Sequence, residues 1–138
     1  MTILEAKELL SFHSGRNPDI DNQKWKSGFL GHLRPFKGTL NENAFIEIME
    51  CMKVLSQEFE RAYVDKNFIS DIYRITYLAR CWSGKDGMLE RNNLLTSEQT
   101  ELLNEWIYIM EYALFFLLDG SGEEEAFYEY NEYLNEKH

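Results

Sequence analysis

Apolar residues recur along most of the chain at the three- and four-residue spacing of helices, and nowhere alternate long enough to make a strand. Ile3, Leu4, Ala6, Leu9, Leu10 and Phe12 supply one face of a first helix, opened by the capping-box pair Thr2 and Glu5 and ending near His13. Phe45, Ile48, Met49, Met52, Leu55 and Phe59 form a core-facing stripe, which predicts a helix capped by Asn41 or Asn43 and running to about Tyr63. Asp65 opens the next, with Phe68, Ile72, Ile75, Ala79 and Trp82 in the same period and Ser83, Gly84 and Gly87 stopping it. Thr96 and Gln99 have capping-box spacing for a long helix through Leu118, closed by Asp119-Gly120. Ser121 with Glu124 is expected to cap a last helix ending near Asn135.

The segment from Ser14 to Thr39 breaks the pattern. Gly15, Pro18, Gly28, Gly31, Pro35 and Gly38 interrupt it, while Trp25, Phe29, Leu30, Leu33 and Phe36 give it something to bury. It reads as a long packed loop with at most a short helix around Gln23 to Leu33. A second irregular link spans Ser83 to Leu95. The expectation is all-α: one domain over residues 1–138, a bundle of about five to six helices with a long packed loop near residues 14–40.

Composition sharpens this picture in three ways. At 138 residues and 44% apolar the chain holds one real core, for which Trp25, Trp82, Trp106, Phe115, Met49 and Met52 are the expected members. Cys51 and Cys81 form neither a Cys-x-x-Cys pair nor a disulfide framework, so both are expected as buried thiols. Glu5, Lys7 and Glu8 interrupt any signal core at the start, and the greasy stretch Trp106 to Leu118 is too short and contains Glu111. A cytoplasmic protein without a membrane span is expected, with Trp106 to Leu118 as the most buried helix.

Familiar chemistry is missing. None of His13, His32 and His138 has a glutamate three residues before it, as carboxylate-bridged metal sites require. Asp119-Gly-Ser-Gly-Glu departs from a calcium loop, with Glu124 where its glycine belongs and Tyr130 where its last glutamate belongs. Gly84-Lys85-Asp86-Gly87 is not a phosphate-binding loop, and no Gly-x-Ser-x-Gly elbow exists. Helical carboxylate pairs such as Glu47 and Glu50 are solvated by default. The reading is therefore of a protein that is not an enzyme, with no metal and no cofactor.

Charge is more informative. Lys plus Arg number 14 against 24 Asp plus Glu, a net −10, which disfavours nucleic acid and anionic lipid and favours a cationic partner. Residues 1–40 carry 6 basic and 4 acidic side chains, residues 41–80 carry 5 and 7, and residues 81–138 carry 3 and 13, so the last part holds the excess. There Glu123, Glu124, Glu125, Glu129, Glu132 and Glu136 are answered only by Lys137. At about 100° per residue Glu125, Glu129, Glu132 and Glu136 share a stripe, with Phe127, Tyr130 and Leu134 opposite and Tyr128 and Tyr133 flanking. The expected partner-binding residues are thus Glu123, Glu124, Glu125, Tyr128, Glu129, Glu132, Tyr133 and Glu136. Arg34 and Arg91, in the two irregular links, are expected to be tied to carboxylates within packed structure.

Two stretches carry a resemblance: GFLGHLRP from Gly28 with FIEIME from Phe45, and GMLERNNLL from Gly87 with Trp106, LLDG from Leu117 and EAFY from Glu125. They resemble small helical immunity proteins encoded beside bacterial contact-dependent growth inhibition and related polymorphic toxins. The resemblance implies a cytosolic protein that binds one cognate toxin domain, many of which are basic nucleases, and blocks its active site. The acidic face suits the same role, by occluding a cationic cleft. The alternative of another kind is an acidic nucleic-acid mimic of phage or mobile-element origin, inhibiting several DNA- or RNA-binding proteins.

Overall fold

The computed structural model describes residues 1–137. His138 lies outside the described residues. The elements in order are α1 (Ile3–His13), α2 (Gln23–Lys26), α3 (Phe29–Leu33), α4 (Glu42–Leu55), a 3-10 helix (Ser56–Glu60), α5 (Lys66–Ser83), α6 (Met88–Arg91), α7 (Ser97–Leu118), α8 (Glu123–Ala126) and α9 (Tyr128–Lys137). The all-α expectation holds.

Local side-chain chemistry sets most helix starts. Thr2 Oγ1 accepts the Glu5 N–H while Glu5 reaches back to the Thr2 N–H, and Thr96 and Gln99 do the same for α7. Asn41 rather than Asn43 caps α4, accepting from the Ala44 N–H, and Asp65 caps α5. At the end of α7 Gly120 takes a φ of +78°, with the Ser121 N–H bonded to Phe116 O and the Gly120 N–H to Leu117 O. That pairing is the Schellman closure, and it satisfies carbonyls the helix leaves open.

Five features depart from the pattern. The helix expected to reach Tyr63 ends at Leu55, because Ser56 turns its hydroxyl onto Lys53 O and Glu123 and the chain tightens into the 3-10 turn. Ser121 does not cap the last helix: its hydroxyl bonds Asp119, and the cap position falls to Gly122, with no side-chain bond. That last helix is two pieces, broken at Phe127 (φ −102°, ψ 12°), which lets Ala126, Phe127, Tyr130 and Tyr133 all reach the interior. The loop helix between Gln23 and Leu33 is likewise split, at Ser27-Gly28, and the 83–95 link contains α6.

α1 packs on α4 and α5, α5 packs on α7, and α7 carries α8 and α9. The centre is aromatic. Phe45 of α4 stacks on Trp106 of α7 at 5.3 Å and meets Tyr130 and Tyr133 of α9 edge-on at 5.9 and 5.3 Å, while Phe29 from the long loop meets Trp106 from another side. The long loop is therefore part of the core. Its rim is fixed by Asn41 Nδ2 to Ser27 O, and by Gln99 Nε2, at the start of α7, to Gly38 O.

Several expected interior residues are not interior. Phe115 is 60% exposed and Tyr108 and Leu118 are also on the surface, so α7 buries one side only. Trp25 and Trp82 are half-buried, and Cys81 faces solvent one helical turn beyond exposed Tyr77, whereas Cys51 is buried and its thiol is pushed up to about 12 by burial. Neither Arg34 nor Arg91 has an ion-pair partner among the described residues; Arg34 instead lies over the Trp82 ring at 5.7 Å. No described helix is long and apolar enough to cross a membrane.

Candidate partner-binding face

The C-terminal carboxylates divide into two groups. Glu123 takes the Ser56 hydroxyl, and Glu125 accepts the Tyr112 O–H at 2.5 Å, so both help to hold α8 against the bundle. Glu124, Glu129, Glu132 and Glu136 have no hydrogen-bond or ion-pair partner among the described residues. Glu124, Glu132 and Glu136 are exposed and Glu129 is half-buried. Tyr128, at the start of α9, is 52% exposed.

Tyr133 does not. It is 2% exposed; its hydroxyl receives the Trp106 indole N–H at 3.0 Å and donates to Glu42. α9 docks against α4 and α7 at once, so its buried arc is wider than one stripe and takes in Tyr133 along with Phe127 and Tyr130. Burial first, then the Glu42 carboxylate, push the Tyr133 hydroxyl up to about 12. Tyr130, whose O–H reaches Glu50 at 2.9 Å, is raised for the same reasons. These two tyrosines belong to the structure that holds the face in place.

The other half of the face comes from α7, and the sequence reading missed it. Glu101, Glu105, Tyr108 and Tyr112 follow one another at spacings of four, three and four, which aligns them along the side that meets α8 and α9. Tyr108, Tyr112 and Phe116 form a continuous run of rings, with centroids 5.9 and 4.6 Å apart, and Phe115 continues it at 5.0 Å from Phe116. The Glu125 hydrogen bond, with Glu129 nearby, pushes the Tyr112 hydroxyl up to about 12. Glu105 likewise faces Tyr133 closely enough to oppose its ionisation. The outcome is one surface: carboxylates of α7 and α9 around a band of accessible aromatic rings.

Comparison with protein-family models, with curated proteins and with solved structures finds no match.

Elsewhere, a buried histidine and a half-buried glutamate have the composition of an acid–base dyad. His13, 4% exposed, receives the Phe29 N–H on Nδ1 at 3.0 Å, so its proton sits on Nε2 and is given to Glu47 at 2.9 Å. That bond is the largest cause of a lowered Glu47 carboxyl. Both ring nitrogens are engaged in joining α1, α3 and α4. Among the described residues no three His, Cys, Asp or Glu side chains gather to hold a metal ion.

Proposed function

We propose that this chain is a toxin-neutralising immunity protein that lays its acidic, aromatic face into the cationic cleft of a cognate toxin domain, best fitted by a basic nuclease, and blocks it by occlusion. The observation that carries the reading is the set Glu129, Glu132 and Glu136, without partners among the described residues and flanked by exposed Tyr128 and by the Tyr108–Phe115 ring run. Neighbouring like charges on a helix repel by roughly 0.2–0.5 kcal/mol per pair, a cost that a positively charged partner removes. Long-range attraction speeds encounter, and the rings supply the desolvated anchors that hold a specific partner.

A nucleic-acid mimic needs the charges but not the rings. Exposed Phe115, Tyr108 and Tyr128 add shape-dependent apolar contact, which favours one cognate partner over promiscuous inhibition. The resemblance to immunity proteins is in keeping with this reading, in which the encounter takes place in the cytoplasm.

The test takes a toxin domain from the reading frame adjacent to this gene, which the proposal requires to exist, with growth rescue and stopped-flow association as readouts. Replacing Glu129, Glu132 and Glu136 together by lysine spares the Tyr112–Glu125 bond and should leave thermal stability nearly unchanged. The association rate at low salt should fall by about 10- to 100-fold, with the difference shrinking as salt rises. Unchanged association at low salt would refute the face. Equal inhibition of several unrelated nucleases would select the mimic instead.

A further inference from the structure

The bases of the N-terminal third are as unevenly spent as the acids of the C-terminal one. A cavity of about 610 Å³ is lined by Trp25 and Pro35 as flat apolar walls and by Lys26, Arg34 and Lys37 as cations. Across Trp25, Gly31 and Arg34 it adjoins a second cavity, of about 340 Å³, that reaches Arg74 and Trp82. Among the described residues no carboxylate lines either one. Asp19, on the loop before α2, is turned to the Asn22 amide.

Lys26, Arg34 and Lys37 have no ion-pair partner among the described residues, on a chain whose 24 acids outnumber its 14 bases. Among the other Lys and Arg side chains, five have ion-pair partners: Lys7 with Asp65, Arg16 with Asp71, Lys53 with Glu50, Arg61 with Glu58 and Arg80 with Glu111; what sets Lys26, Arg34 and Lys37 apart is that they share one cavity. Three unneutralised cations around one cavity suit a single group with two or more negative charges. A carboxylate needs only one of them, whereas a phosphate monoester or diphosphate uses all three. The volume lies within the roughly 300–1,000 Å³ of small-molecule sites, and Trp25, which walls both cavities, offers an indole to a planar ring.

We propose that this cavity binds a nucleotide-class ligand, with its ring against Trp25 and its phosphates among Lys26, Arg34 and Lys37. The ligand is either a free nucleotide or a nucleotide of a single strand, since both present the same ring and phosphate. The site is separate from the acidic face and stands or falls without it.

The experiment is calorimetric titration of the full chain, with tryptophan fluorescence alongside, using ADP, UDP, adenosine, inorganic pyrophosphate, hexaglutamate and a short single-stranded oligonucleotide. ADP or UDP should saturate and change the fluorescence, with adenosine and pyrophosphate each at least about tenfold weaker because each carries half of the recognised chemistry. Lys26→Glu and Lys37→Glu alter exposed, unpaired side chains, so they should keep the melting temperature while weakening nucleotide binding by about tenfold each. An oligonucleotide that binds more tightly than ADP and responds to the same two variants names a strand as the source; one that binds no better names the free nucleotide. The proposal is overturned if no nucleotide saturates at low salt, if both variants bind as the parent does, or if hexaglutamate binds as tightly as ADP, which would make the cavity a groove for acidic polypeptide.

Discussion

Tyr133→Phe removes one oxygen that serves three elements. The ring stays, still edge-on to Phe45, so little packing is lost. What goes is the acceptor of the Trp106 indole N–H and the donor to Glu42, which bridge α7, α9 and α4. A buried donor left without a partner costs about 1–3 kcal/mol. The lost bond to a carboxylate would add a comparable amount, but Glu42 is half-buried and regains water, so the total should be about 2–3 kcal/mol. For a domain of this size that is a fall in Tm of roughly 6–10 °C by calorimetry. A cycle with Trp106→Phe isolates the orphaned N–H: with the indole gone, Tyr133→Phe should cost at least about 1 kcal/mol less. Because burial and Glu42 hold the hydroxyl up to about 12, this stabilisation is complete below the ordinary tyrosine value of 10 and is lost as pH rises through about 12. Partner association by the folded variant should be unaffected. A stability loss under about 0.5 kcal/mol, or unchanged stability with weakened association, would refute the reading of Tyr133 as a structural bridge.

Three further outcomes follow from single residues. A Cβ at Gly87 would lie 2.1 Å from Cys81 O and 2.5 Å from Trp82 O, so Gly87→Ala should destabilise by at least about 3 kcal/mol in urea unfolding, against about 1–2 for Gly38→Ala, where only the positive φ is strained. Glu47→Gln should lower stability at pH 7 by about 1 kcal/mol, since a neutral amide replaces the charged acceptor of His13. As the folded carboxyl lies below its ordinary 4.5, that stabilisation is present above 4.5 and the gap between the two proteins should close as pH falls through the lower folded value. In alkaline ultraviolet titration Tyr112 should ionise near 12, and Glu125→Gln should bring it back toward 10; a Tyr112 that ignores the substitution would remove the hydrogen bond from the account.

What the sequence made legible is what is settled within a few residues. Thr2 with Glu5, Asn41, Asp65, Thr96 with Gln99 and Gly120 act on backbone groups of their own segment, and each does what its position in the pattern demands. Tyr133 and Phe115 were illegible for the opposite reason: their surroundings come from distant segments. A single helical stripe puts Tyr133 beside the acids, but α9 meets α4 and α7 together and needs a wider buried arc. The run Trp106–Leu118 reads as interior by content, yet α5 covers one side of α7 and the short α8 leaves Phe115 and Tyr108 uncovered. The α7 half of the face did carry a signal, the four-three-four spacing of Glu101, Glu105, Tyr108 and Tyr112, masked by the greasy residues between them. Lys26, Arg34 and Lys37 gave none, because only the folding of the long loop gathers them around one space.

The two surfaces have a common cause in how the fold allots its bases. α7 contains no lysine or arginine, and α8 and α9 together contain only Lys137, which lies over the Tyr133 ring at 6.0 Å. Lys53, the base nearest α8, is occupied by Glu50 and by the rings of Phe127 and Tyr130. Among the described residues no base pairs with Glu129, Glu132 or Glu136, while Lys26, Arg34 and Lys37 line one cavity at the ends of α2 and α3. A chain at net −10 could have spread its cations among its acids and lowered its own repulsion; gathering three of them around one cavity gives it a local positive site instead. Such a site would let a small anion be held at the loop in spite of the overall charge, because screening over a Debye length of about 8 Å favours the adjacent cations, while the unpaired carboxylates of α9 would draw the proposed basic partner. Raising salt should then affect the two faces differently, cutting the association rate at α7–α9 steeply while leaving a cavity-bound anion, partly screened from solvent by Trp25 and Pro35, less changed.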